Sequence, residues 1–204
     1  MNIVDLSVVL NEETPVYPGD PATKIEPAGI FGKDGYNDHY VSVGTHVGTH
    51  IDAPLHMIDG GKTIDQFPLD KFIGRGVYVK LENKTFDLEK LKNMDIREGD
   101  TVLFHTGMSD FYGQSEYFDQ SPEITEDIAQ YLVEKKISMV GMDMCSPDKP
   151  PFNTHKIFLG ADVLIIENLT NLSELENKEF TVHALPLKLQ IDASPSRVTA
   201  IIEE

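Results

Sequence analysis

The sequence predicts a mixed α/β protein, strand-rich, folded as a single domain over residues 1–204. Three observations carry this reading. One long helical pattern, 122–136, runs directly into a buried apolar run at 137–142. A second helix-to-strand unit ends at 161–167. Short strand-like runs occupy much of the remainder, with no repeat, low-complexity stretch or linker between them.

The elements follow in order. Residues 2–10 alternate enough to form a first strand. Residues 14–21 hold three prolines and a glycine, a fixed loop that mounts Tyr17. After a histidine-rich segment closed by Gly60 and Gly61, residues 65–70 read as a short turn or helix and 76–81 as a strand. Residues 86–92 form a short helix capped by Thr85 or Asp87. A strand at 100–105 ends in the turn Thr106-Gly107-Met108-Ser109-Asp110. For the helix at 122–136, Ser121 caps, Pro122 suits the first turn, and Glu123, Glu126 and Asp127 favour the positive end. Ile124, Ile128, Tyr131 and Leu132 form its core stripe, and Lys135 and Lys136 suit its C-terminus. Strands near 181–186 and 196–202 close the chain.

Composition narrows the function classes. The formal net charge is −17, from 34 acidic and 17 basic residues. No basic face is visible for nucleic acid, and an acidic surface is repelled by anionic membranes. The N-terminus lacks a basic region and Asp5 interrupts its apolar run, so no signal peptide is expected. No stretch is long and apolar enough for a membrane helix. The lone Cys145 excludes an internal disulfide, which fits a reducing compartment, and a cytoplasmic location is expected.

The chemistry concentrates in His46-Val-Gly-Thr-His50-Ile-Asp52-Ala-Pro54-Leu-His56. Three histidines and a carboxylate share eleven residues, and four of the seven histidines lie between 39 and 56. Imidazole and carboxylate are ordinary ligands of zinc and similar cations, and crowding them is costly unless a metal, proton or solvent satisfies them. Gly48, the β-branched Thr49 and Ile51, and Pro54 argue against a helix here. In a strand, 46, 50, 52 and 56 would share a face. A straight strand would separate His46 from His50 by about 13 Å, so Gly48 reads as a bend, or the segment leaves its strand near His50. The segment is expected to be a strand end breaking into a loop around an ion. A closed structural zinc site would lean on cysteine, which one residue cannot supply.

A second cluster follows. Asp143 comes directly after the strand at 137–142, His155 a dozen residues later, and Glu167 closes the apolar run 163–166. Taken with the histidine motif, these residues resemble a known family, the cyclase-type metal-dependent hydrolases, which include the bacterial kynurenine formamidases. The family pattern H-x-G-T-H-x-D-x-P-x-H stands complete at 46–56. Thr14-Pro-Val-Tyr17-Pro-Gly-Asp20, Thr106-Gly107, Gly141-Met-Asp143, His155 with Glu167, and Leu185-Pro-Leu-Lys-Leu189 extend the likeness over nearly the whole chain.

The resemblance implies a swivelling β/β/α fold and two divalent metal ions, usually zinc and sometimes manganese. It implies His46 and His50 on the first metal, His155 on the second, Asp52 and Glu167 bridging both, and His56 as proton donor and acceptor, a task that a near-neutral pKa suits. It implies cleavage of a C–N amide bond in a small-molecule substrate, with N-formyl-L-kynurenine as the best single guess, and a homodimer or homotetramer. Tyr17 and Met108 stand where related kynurenine formamidases often carry tryptophan, so both are expected to bind substrate. An isatin hydrolase-like lactam hydrolase and a non-catalytic metal-binding protein remain as alternatives. A serine hydrolase lacks its G-x-S-x-G elbow here, and Cys145 is the other nucleophile available.

Overall fold

The computed structural model describes residues 2–203. Ten strands form: β1 (Asn2–Asp5), β2 (Lys24–Gly29), β3 (Asp38–Ser42), β4 (His50–Asp52), β5 (Ile73–Lys80), β6 (Thr101–His105), β7 (Met139–Met142), β8 (Leu164–Glu167), β9 (Phe180–Pro186) and β10 (Ala193–Ile202). Five α-helices accompany them: α1 (Phe31–Asp34), α2 (Leu88–Lys92), α3 (Ser115–Asp119), α4 (Glu126–Glu134) and α5 (Asn153–Gly160).

Eight of the strands make one sheet in the order β1-β10-β4-β8-β7-β6-β5-β9. β9 then pairs with β10 from Ser196↔Pro186 to Ile202↔Phe180, so seven strands close into a ring and β1 lies alongside β10. β5, β6, β7 and β8 run parallel, and β4, β9 and β10 complete the circuit in antiparallel pairings. The strand-rich mixed α/β reading matches this architecture.

Period-two alternation splits the core in two. Ile51, Leu103, Met139, Leu164, Ile166, Val182 and Val198 pack together from strands all round the ring, which places them in its interior. Their neighbours Val102, Phe104, Val140, Met142 and Ile165 face outwards and pack with Ile128, Ala129 and Leu132 of α4 and Phe158 and Leu159 of α5. Each large apolar side chain so buried contributes about 1.5–3 kcal/mol. The ring is tight enough that a Cβ on Gly76 would stand 1.9 Å from the Phe180 ring. The alternation has a consequence for function. Ile51 faces inwards, so His50 and Asp52 face outwards, towards the side that α5 covers.

The fold differs from the expected one in three places. The first strand ends at Asp5 rather than running to residue 10. Helix α4 starts at Glu126 rather than Pro122, because Ile124 donates its amide to the Pro147 carbonyl (2.8 Å) and Ser121 Oγ donates to the Tyr117 carbonyl (2.6 Å). Both groups are thus committed outside a helix. The antiparallel ribbon of β2 and β3 is the third difference; nothing in the sequence reading placed strands there. It is exposed along most of its length, and Ile30, Phe31, Tyr36, Tyr40 and Val41 carry apolar surface into solvent. Among the described residues, no helix is long and apolar enough to cross a membrane.

Candidate metal centre

The site forms at the C-terminal ends of the parallel strands, the usual place for ligands in such sheets. Gly48 takes φ +62, a left-handed conformation that glycine adopts without strain, and turns the chain between His46 and β4. β4 is only three residues long. It then breaks at Ala53 into a 3-10 turn, Pro54–His56, that presents His56. The bend at Gly48 is therefore as read, whereas the strand begins at His50 and does not end there. The antiparallel register sets His50 beside Glu167, and Asp52 beside Ala193, next to Asp192. His155 arrives from α5.

All three expected ligand histidines have one ring nitrogen committed. His46 Nε2 lies 2.9 Å from Asp192 Oδ2. His50 Nδ1 donates to the Gly48 carbonyl at 2.8 Å, and that carbonyl also accepts from Asn168 Nδ2 at 2.9 Å. His155 Nδ1 bonds to Asp148 Oδ1. These partners orient the rings, as outer partners of metal ligands do.

The opposite nitrogens converge. His46 Nδ1 lies 2.8 Å from Asp52 Oδ1, and His50 Nε2 lies 3.3 Å from Asp52 Oδ1 and 3.5 Å from Glu167 Oε2. His155 Nε2 lies 3.5 Å from Glu167 Oε1. Despite this closeness, His50 Nε2 and both Asp52 oxygens are buried without an aligned hydrogen bond. Unpaired buried polar atoms are costly, and atoms aimed at a common point rather than at one another suit a cation held between them. Two donor triples emerge, His46–Asp52–His56 and His50–Asp52–Glu167, and they share Asp52. The residues fit a metal centre.

The electrostatics point the same way. Burial opposes a charge on His46, but Asp52 and Asp192 outweigh it and raise the imidazole to about 9. Burial likewise opposes charge on His155, yet Asp148 and Glu167 lift it to about 10. Asp52 is buried, but His50 and His46 hold it well below the usual carboxylate range. Glu167 is pushed up, first by burial and then by the charge of Asp52. The cluster demands positive charge, which protons satisfy in part and divalent cations satisfy better. His56 differs: burial pushes it down to about 4, below the near-neutral value expected from the sequence. Its ring stacks on His46 with centroids 3.9 Å apart and stands 5.8 Å from that of His155.

The donors open onto a cavity of about 200 Å³. His46, His56, His155 and Glu167 form its polar floor, and Tyr17, Phe118 and Phe152 contribute aromatic walls. Tyr17 meets Phe118 edge-on at 6.2 Å. Residues 46–56, His155, Glu167 and Tyr17 thus come together as the sequence suggested. Met108 does not: it is fully buried in the outer core, because Gly107 turns the chain and the Met108 amide bonds to Thr106 Oγ1. Asp143 also stays out of the cavity. It accepts the Thr106 amide and hydroxyl (2.7 Å each) and the Gly107 amide (2.9 Å), and so holds that turn. Phe118, Phe152, Asn168, Asp148 and Asp192 belong to or brace the site and were missed. They lie far apart in sequence, and only the closed sheet and α5 bring them together.

Comparison with known proteins agrees with this geometry. Residues 4–149 match the Cyclase family, described as "Putative cyclase". The chain belongs to the Cyclase family. It is 37% identical to an uncharacterized protein of Methanocaldococcus jannaschii, over 99% of this chain and 100% of that one. It is 28% identical to a kynurenine formamidase of Geobacillus thermodenitrificans, over 95% of this chain and 94% of the relative. Among solved structures it resembles a potential metal-dependent hydrolase with cyclase activity (32% identity, TM-score 0.84, covering 100% and 98% of the two chains). It also resembles isatin hydrolase A from Labrenzia aggregata bound to benzyl benzoate (27%, TM-score 0.88, covering 100% and 94%). This Cyclase family member is a metal-dependent hydrolase.

Cys145 also lines the cavity, so its role as a nucleophile can be judged. Burial raises its thiol to about 11, which leaves very little thiolate at neutral pH. Its sulfur lies 3.8 Å from Ser121 Oγ and from the Tyr117 carbonyl, and neither is a base that would activate it. Cys145→Ser is expected to retain turnover within about threefold, and alkylation of the native thiol at pH 8 to be slow. A loss of a hundredfold or more would restore the cysteine as a nucleophile.

Proposed function

We propose that this chain uses two divalent cations, zinc by preference and manganese as the alternative, to hydrolyse N-formyl-L-kynurenine to L-kynurenine and formate. The observation that carries the reading is the opening of a convergent His/Asp/Glu donor set onto a cavity with aromatic walls. A closed, purely structural ion would not need such a cavity. The full-length similarity to kynurenine formamidases supports the substrate.

Bound cations lower the pKa of water to about 7 and polarise the carbonyl. The protein residues do the rest. Tyr17, Phe118 and Phe152 sandwich or edge the aryl ring, and so orient the formamide over the donors. His56, neutral at pH 7, accepts the proton that water loses on adding to the carbonyl carbon. It returns that proton to the leaving nitrogen as the C–N bond breaks, so formate and the free amine result.

A second reading is an isatin-like lactam, whose ring opening needs the same steps. The compact cavity and the fold shared with isatin hydrolases favour it. Formate release from N-formylkynurenine by zinc- or manganese-loaded protein, with chelated protein as control, tests the proposal. Efficient, metal-dependent release is the expected result. No release by a protein holding two metals would overturn the formamidase assignment, and turnover of isatin under the same conditions would put the lactam in its place.

A further inference from the structure

Asp148 takes no part in the chemistry above, yet both oxygens of its side chain are committed. It lies in the loop between β7 and α5, seven residues before His155, and is buried. Oδ2 accepts the Thr154 amide at 2.7 Å, while Oδ1 faces His155 Nδ1. The Thr154 hydroxyl is itself anchored to the Ile124 carbonyl at 2.8 Å, and Ser146 Oγ donates to the Asp148 carbonyl at 2.6 Å. Both carboxylate oxygens are therefore engaged by the first turn of α5. The residue at the N-cap position, Phe152, gives that turn no side-chain cap.

His155 belongs to neither donor triple, but on the two-metal assignment that the family resemblance implies it serves the second cation, and the two halves of the centre are then unequal. His46, His50 and Asp52 all come from one seven-residue segment. His155 is the one histidine brought by α5, and its inward nitrogen faces Glu167. Its ring must keep that nitrogen unprotonated and turned inwards. By contrast, Asp192 behind His46 is one-third exposed and also lies 3.5 Å from Thr45 Oγ1.

We propose that Asp148 is a positioning residue that holds His155 with its proton on Nδ1 and its Nε2 towards Glu167, and so sets the affinity for the second of two cations. The inference rests on the two-metal reading above. Removing such an outer partner costs about 10–100-fold in metal affinity. Asp148→Asn is the sharpest variant: the Thr154 amide and His155 meet different carboxylate oxygens, and the amide replaces one of these acceptors with an NH2 donor.

The experiment is zinc titration of metal-free wild type, D148N and D192N against a chromophoric competitor. Thermal melts of the metal-free proteins serve as the folding control. Wild type is expected to take two ions. D148N is expected to bind the first with unchanged affinity and the second 10–100-fold more weakly. D148N binding both ions as wild type does, or losing both equally while folded, overturns the proposal alone. A wild type that takes one ion overturns the two-metal reading and this inference together. A long-range ¹H–¹⁵N correlation spectrum of zinc-loaded wild type gives a check independent of the variant's folding. His155 protonated at Nδ1 is expected; protonation at Nε2 overturns the assignment.

Discussion

Asp52→Ala is expected to abolish metal binding and to lower turnover by roughly a thousandfold or more, a loss of about 4 kcal/mol of transition-state stabilisation. Asp52 is fully buried and belongs to both donor triples, so its removal takes a ligand from each. Stability reports the same loss without an assay. Zinc at about a thousand times its dissociation constant stabilises a folded binder by about 4 kcal/mol. For a domain of this size that raises Tm on the order of 10 °C. Wild type is expected to show the shift and Asp52→Ala to show none. Elemental analysis finding two ions in the variant, with the shift intact, would overturn the expectation that Asp52 is a ligand shared by both.

His56→Ala is expected to keep its metal and to lose about 10²–10⁴ in kcat, the range for removing a positioned general acid–base group. The structure makes this a pointed test, because His56 also completes a donor triple with His46 and Asp52. Its pKa, driven down to about 4 by burial, leaves a neutral imidazole that suits either a proton acceptor or a ligand. Metal content separates the two. Two ions with slow turnover identify a proton carrier, and loss of one ion identifies a ligand. Full activity would exclude both roles.

How much was legible in the sequence depended on how local the determinant was. The 46–56 segment was legible because its ligands, its bend at Gly48 and its break at Pro54 all lie within eleven residues. The strands at 100–105 and 137–142 were legible because each is an apolar run buried on both faces, and 76–81 because buried Val77 and Val79 alternate with less buried neighbours. The β2–β3 ribbon was not, since exposed strands need no apolar alternation to mark them. The start of α4 was misplaced because Ser121 and Pro122 carry sound capping signals, which tertiary hydrogen bonds to Tyr117 and Pro147 override. Asp148 and Asp192 were silent for a different reason. A lone aspartate in a loop looks the same whether it faces solvent or a histidine ring.

The three residues of β4 divide their labour in a way that joins catalysis to the mechanics of the chain. Ile51 plugs the interior of the ring, while His50 and Asp52, one position to either side, serve the site. Because β4 is paired on both edges, a slip of one residue would present isoleucine to the cation and push imidazole and carboxylate into oil. The amides of this strand are therefore expected among the slowest to exchange with deuterium, with or without metal. An active site written into a stave held on both edges is expected to lose its ions and recover them without remaking the barrel.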